Sequence, residues 1–83
     1  MQQITEQITP AEMIWRQMDA LQMEIVDAAK RCNMSDSYFR QFLKGHKRIT
    51  VNVAFKLEQG LKLSARKWLI CQLDFDLNRS KHR

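Results

Sequence analysis

Apolar residues recur along this chain at helical rather than strand spacing. Ala11, Ile14, Met18 and Leu21 follow one another at intervals of three, four and three, placing them on one face of a helix over residues 10–21. Its start is written in Thr9-Pro10-Ala11-Glu12: Thr9 as cap, Pro10 in the first helical position and Glu12 reaching back. Ile8 and Met13 occupy the positions of a hydrophobic staple. A second, short helix over Glu24–Arg31 turns Ile25, Ala28, Ala29 and Cys32 inward. It stops at Asn33, a residue that tolerates the left-handed conformation. Met34 then faces inward, and Ser35 caps a third helix over 36–44 with a buried stripe of Phe39, Phe42 and Leu43. Asp36 in its first turn complements the helix dipole, and Gly45 ends it. Thr50 caps a fourth helix over 51–61 that buries Val53 or Ala54, Leu57 and Leu61. Ser64 caps a fifth over 65–77, carrying Trp68, Leu69, Gln72, Leu73 and Phe75. The polar, basic tail 78–83 is expected to fray. With one Pro and two Gly and no run of alternating β-branched residues, the pattern predicts an all-α fold of five helices.

Composition narrows this picture. Eighty-three residues suffice for a single domain, and 45% apolar with 28% charged residues is a globular balance. The net charge of +5 is unevenly spread: residues 1–35 carry −2 and residues 36–83 carry +7. A basic second half points to an anionic partner, be it nucleic acid, a membrane surface or an acidic protein. The longest unbroken apolar run, Trp68–Cys71, is four residues, far short of the roughly twenty a membrane span needs. Met1–Thr9 has no charged start followed by an apolar stretch, so no secretory signal is expected. Cys32 and Cys71 are too few for a disulfide framework and are expected to be reduced, which makes the cytoplasm the expected location.

The central feature is residues 24–45, a short helix, a tight turn, a second short helix and then a basic loop. Ala29 is small enough to let two helices approach, Asn33 makes the turn, and Phe39 packs between them, which is the spacing logic of a helix-turn-helix. The stretch Met23–Gly45, followed by His46-Lys47-Arg48-Ile49-Thr50, resembles the helix-turn-helix of the XRE (lambda-repressor-like) family. More narrowly, residues 8–77 are similar to the HigA-type antitoxins of toxin–antitoxin modules. The resemblance is carried by Ile8-Thr9-Pro10-Ala11-Glu12, by Gly45-His46-Lys47-Arg48-Ile49-Thr50, and by Ser64-Ala65-Arg66-Lys67-Trp68-Leu69 with Gln72 and Phe75-Asp76-Leu77. It implies a lambda-repressor-like fold whose third helix lies in the major groove of an inverted-repeat DNA operator. It also implies a homodimer, repression of the chain's own operon, and capture of a HigB-type toxin, an mRNA-cleaving ribonuclease.

Carried over residue by residue, the family's base-facing positions fall on Asp36, Ser37, Tyr38 and Gln41, with Arg40 nearby. Gln41 suits adenine, Arg40 guanine, and Ser37 either; Tyr38 suits a thymine methyl or a phosphate. Lys44, His46, Lys47 and Arg48 follow the recognition helix where the family grips phosphate. Trp68, Leu69, Gln72, Leu73, Phe75 and Leu77 fall where the family dimerises. Each group also has a plainer explanation: solvent-facing helix positions, a solvated charge run, and core filling. Four departures stand out. Ile25 replaces a phosphate-binding Gln, Asn33 the turn Gly, and Lys62 a Gly after the fourth helix, while Asp36 opens the recognition helix with a charge that repels phosphate. No enzyme is expected. His46 and His82 are far apart beside cations, two isolated cysteines lack zinc spacing, and there is no Gly-rich phosphate loop, so neither cofactor nor metal is anticipated. The alternatives are a stand-alone phage or plasmid repressor without a toxin, or a helix-turn-helix kept as a protein-interaction adaptor.

Overall fold

Thr9 and Glu12 start the first helix as their order implies. In the computed structural model, which describes residues 8–81, Thr9 Oγ1 accepts the Glu12 N–H at 3.1 Å while the Glu12 carboxylate accepts the Thr9 N–H at 3.2 Å. Helix α1 spans Pro10–Ala20, α2 Ile25–Arg31, α3 Asp36–Leu43, α4 Val51–Leu61 and α5 Ala65–Lys81, with no strand among the described residues. Ser35, Thr50 and Ser64 accept the backbone N–H groups of Tyr38, Val53 and Lys67, satisfying donors that a helix start leaves orphaned. Glu24 makes no side-chain cap, so α2 begins one residue later than expected.

Four of the five helices end on a residue with positive φ: Gln22, Asn33, Gly45 and Lys62 at 55°, 58°, 78° and 75°. After α2 the reversal at Asn33 lets the Met34 N–H reach back to the Ala29 carbonyl at 2.9 Å. The equivalent bonds from Met23 to Met18 and from His46 to Gln41 close α1 and α3 in the same way. Asn33 and Gly45 were legible as stops. Gln22 was not, because its residue type does not favour this conformation, while Lys62 was marked only by standing where the resembled family has a Gly. Gln22 draws α1 to a close at Ala20, and Leu21, expected on the inward face, is left 37% exposed.

The core gathers one face of every helix: Ile14 and Met18, Ala28, Ala29 and Cys32, Phe39 and Phe42, Leu57 and Leu61, and Trp68, with Ile49 from the α3–α4 connection. Val53 and Ala54, offered by the sequence as alternatives, are both buried. The C-terminal half of α1 is held to α4 by the Gln17 amide, which donates to the Leu61 carbonyl at 2.7 Å. Trp68 is fully buried, and its indole N–H finds the Leu63 carbonyl at 3.1 Å.

The tail differs from expectation. Residues 78–81 continue α5 instead of fraying. Nothing in 65–81 breaks a helix, and Arg79 sits over the Phe75 ring one turn back, 5.4 Å from its centroid. The remainder of the tail, residues 82–83, and the N-terminal segment 1–7, scanned for a secretory signal, lie outside the described residues.

Helices α2 and α4 touch backbone to backbone at Gly60. A Cβ there would stand 2.4 Å from Cys32 Sγ and 2.8 Å from both the Arg31 carbonyl carbon and the Cys32 nitrogen. The Cys32 thiol in this crevice is pushed up by burial to about 11, which makes it an inert packing group rather than a nucleophile.

Two substitutions on this segment have opposite signs. Gly60→Ala is expected to cost about 2–3 kcal/mol by forcing α2 and α4 apart. Lys62→Gly is expected to gain about 0.5–1 kcal/mol by relieving a left-handed side chain. Urea unfolding of both variants beside the parent reads the two shifts.

Candidate nucleic-acid interface

The helix that precedes the basic loop turns Phe39, Phe42 and Leu43 into the core. At 100° per residue, this leaves Asp36, Ser37, Tyr38, Arg40 and Gln41 on a single outward arc, with Ser37 and Gln41 one turn apart at its middle. Asp36, Ser37, Tyr38 and Arg40 are exposed and Gln41 is half-buried. The five side chains singled out from the sequence therefore share one face of α3.

Two of them are held by the loop. The Tyr38 ring meets Phe42 edge-on, centroids 5.2 Å apart, and carries the Lys47 ammonium 5.6 Å above it. His46 lies against Gln41, its Nδ1 3.3 Å from Gln41 Oε1, while its backbone N–H donates to the Gln41 carbonyl. In the tautomer that donates from Nδ1, the Gln41 amide presents its NH₂ outward with Oε1 already engaged. A carbonyl oxygen has a second lone pair, so bidentate pairing to adenine remains chemically open to it.

Lys44, His46, Lys47 and Arg48 are all exposed, but they are not equivalent. Arg48 forms a two-pronged ion pair with Asp76 of α5, Nη2 to Oδ2 at 2.6 Å and Nη1 to Oδ1 at 3.2 Å. Asp76 is itself held by Gln72, whose Nε2 donates to Oδ1 at 3.0 Å. The other end of that amide, Oε1, accepts the Ile49 N–H at 2.8 Å. A chain of four groups thus ties the basic loop to α5. Hydrogen bonds from Arg48 hold the Asp76 carboxyl below its ordinary value of 3.8. Desolvation opposes this, while the Gln72 bond and the charges of Arg48 and Arg79 reinforce it. Arg48, expected as a phosphate ligand, is already answering an internal carboxylate.

Sequence reasoning missed Asp76 in this role. The signal was present: Gln72 sits in an apolar helical stripe with Asp76 one turn on, and a buried amide needs partners for both its donor and its acceptor.

The six residues expected at a dimer interface divide. Trp68 and Gln72 are internal at 0% and 5% exposure, spent on the core and on the loop clamp, and present no surface to a partner. Leu69 is half-buried against the core, and Phe75 is half-buried beneath Arg79. Leu73 and Leu77 are exposed, and Ile70, which the sequence reading passed over, joins them at positions i, i+3 and i+7 of α5. Ile25, where the resembled family has a phosphate-binding Gln, packs partly buried against the core. Among the described residues no group of three or more His, Cys, Asp or Glu is placed to hold a metal ion, and no helix is long and apolar enough to cross a membrane.

No protein-family model and no curated protein sequence matches the chain. Solved structures do. One is a protein of Nostoc punctiforme PCC 73102 named as a candidate antidote protein of a plasmid maintenance system. It superposes with a TM-score of 0.82 at 27% identity, over 94% of this chain and 86% of that one. The five-helix fold is shared with that protein. A second structure, a hypothetical protein of E. coli, matches with a TM-score of 0.79 at 19% identity, over 89% of this chain and 76% of that one, and speaks to the fold alone.

The Arg48–Asp76 pair generates a pH prediction. A carboxyl depressed in the folded state stabilises the fold above its ordinary value, and that contribution is lost as pH falls through the folded value. Between about pH 4 and pH 2 the parent chain should therefore lose stability more steeply than Asp76→Asn. Thermal melts of both proteins across that range give the comparison, and parallel curves would contradict it.

Proposed function

We propose that this chain is an antitoxin-type transcriptional repressor. It binds an inverted-repeat operator as a homodimer, regulates its own operon and neutralises a partner toxin. The observation that carries the antitoxin half is the likeness to the Nostoc candidate antidote protein along nearly the whole chain. The resemblance of residues 8–77 to HigA-type antitoxins narrows the partner to a HigB-type ribonuclease, acting in the cytoplasm, and the chain itself needs no enzymatic chemistry.

DNA binding is supported by the side chains that α3 and its loop present. In this reading α3 enters the major groove, with Gln41 and Ser37 at the centre of the contact and Arg40, Asp36 and Tyr38 at its margins. Lys44, Lys47 and His46 meet phosphate directly, and Arg48 does so by exchanging Asp76 for a phosphate oxygen, a charge-for-charge replacement. Asp36 accepts from a cytosine amino group. The two-fold contact uses the outward stripe Ile70, Leu73 and Leu77, an apolar row left uncovered on a small domain.

A second reading, a helix-turn-helix retained as a protein adaptor, draws on Ile25 packing inward and on Asp36 standing exposed on the α3 face. A stand-alone repressor without a toxin shares every DNA contact and differs only in lacking the partner. The test that separates them is footprinting on the chain's own upstream DNA at two salt concentrations, together with co-purification with the product of any short adjacent gene encoding a basic ribonuclease-like protein.

Protection of two symmetric half-sites that weakens with salt is expected. Binding indifferent to sequence would remove the repressor reading. Gln41→Ala should cost roughly 1–3 kcal/mol and relax one half-site position, while Lys47→Ala should weaken all sequences alike and flatten the salt slope. The double variant Leu73→Glu with Leu77→Glu is expected to sediment as a monomer with its helicity intact.

A further inference from the structure

A groove of about 400 Å³ lies beyond the far side of the basic loop, between the start of α1, the α3–α4 connection and the outer part of α5. Its lining includes Lys44, His46, Lys47, Arg48 and Arg79 and contains no Asp or Glu. Arg48 is committed to Asp76, whereas Lys44, Lys47 and Arg79 enter no salt bridge among the described residues. Arg79 reaches this place only because α5 runs on to Lys81; a helix ending at residue 77 would have left it in a loose tail. The cation is braced over Phe75, itself part of the lining, and lies near enough to Asp76 to feel its charge without forming an ion pair with it. The N-terminus of α1 adds little, since Thr9 and Glu12 already answer two of its backbone donors.

The occupant follows from continuity. His46, Lys47 and Arg48 also line a second, shallower groove on the α3 side, together with Tyr38, Phe42 and Thr50. The basic surface therefore runs from α3 around the loop to α5, and the carboxylate at its edge, Asp76, is already engaged by Arg48 and Gln72. The geometry points to a second phosphate site: a backbone phosphate of the bound DNA duplex, beyond those met by His46 and Lys47 on the α3 side, seats between Lys44 and Arg79. Arg79 is then a DNA contact contributed by α5, outside the helix-turn-helix. This rests on the DNA-binding reading given above and extends its footprint outward along one strand. Phosphate is the fitting ligand because it accepts hydrogen bonds from several directions at once, and because a groove open to solvent suits a solvated phosphodiester.

The test is the salt dependence of operator affinity for the full chain, for Arg79→Gln, and for Arg66→Gln as a control on the same helix that lines neither groove. Arg79→Gln is expected to lower the slope of log affinity against log salt by about 0.9, to weaken every sequence by the same severalfold factor, and to leave base preference unchanged. Arg66→Gln is expected to keep the parent slope. A parent chain that binds its operator with a slope unaltered in Arg79→Gln, or altered equally in Arg66→Gln, overturns the α5 phosphate site and leaves the repressor reading standing. A parent chain with no salt-dependent DNA binding overturns both.

Discussion

Gln72 is a polar side chain in the apolar interior, and the arrangement of the basic loop follows from how its two ends are satisfied. Leaving either end without a partner would cost on the order of 1–3 kcal/mol. Its oxygen takes the Ile49 N–H, which seats Ile49 in the core and so fixes where the loop must re-enter the fold. Its nitrogen takes Asp76, and the oriented carboxylate then receives Arg48 in a two-pronged pair. One buried amide thereby sets the position of a loop whose other residues carry the densest charge in the chain. The Arg48–Asp76 pair is exposed and contributes modestly by itself. The buried bonds behind it give the loop its fixed place.

That loop joins three elements. From Gly45, where the left-handed turn ends α3, His46 folds back on Gln41 and Lys47 over Tyr38. The polar face of α3 and the basic side chains of the loop are therefore positioned by one another. Asp76 brings the C-terminal helix into the same system, and α5 carries both the apolar stripe suited to a second copy and the Arg79 that faces the basic groove. A single 17-residue helix thus carries both features.

Much of the fold was legible because its signals are local. Thr9 with Glu12, Ser35, Thr50, Asn33 and Gly45 act within four residues of themselves, and the apolar spacing of Phe39, Phe42 and Leu43 fixes which face of α3 turns inward whatever surrounds it. The outward set Asp36, Ser37, Tyr38, Arg40 and Gln41 follows by subtraction. The misreadings have a different origin. Gln22 adopts a left-handed conformation because the packing of the helices on either side requires a reversal there, not because the residue prefers one. Residues 78–81 look like a polar tail until Arg79 is seen stacked on Phe75.

The sequence alone therefore determined five amphipathic helices, their caps, the basic character of the second half and the polar face of α3. Each of these depends on side-chain type and on a period of 3.6 residues. Only the tertiary structure decided which members of an apolar helix are spent internally. Trp68 and Gln72 disappear into the core while Ile70, Leu73 and Leu77 stay outside, because α4 and α1 cover one side of α5 and none of the described residues covers the other. It also decided which cations are already answered, pairing Arg48 with an acid 28 residues away and leaving Lys44, Lys47 and Arg79 around one groove. Charge counts along a chain cannot reveal this, since a carboxylate neutralises whatever the fold brings within a few ångströms of it, regardless of separation in sequence.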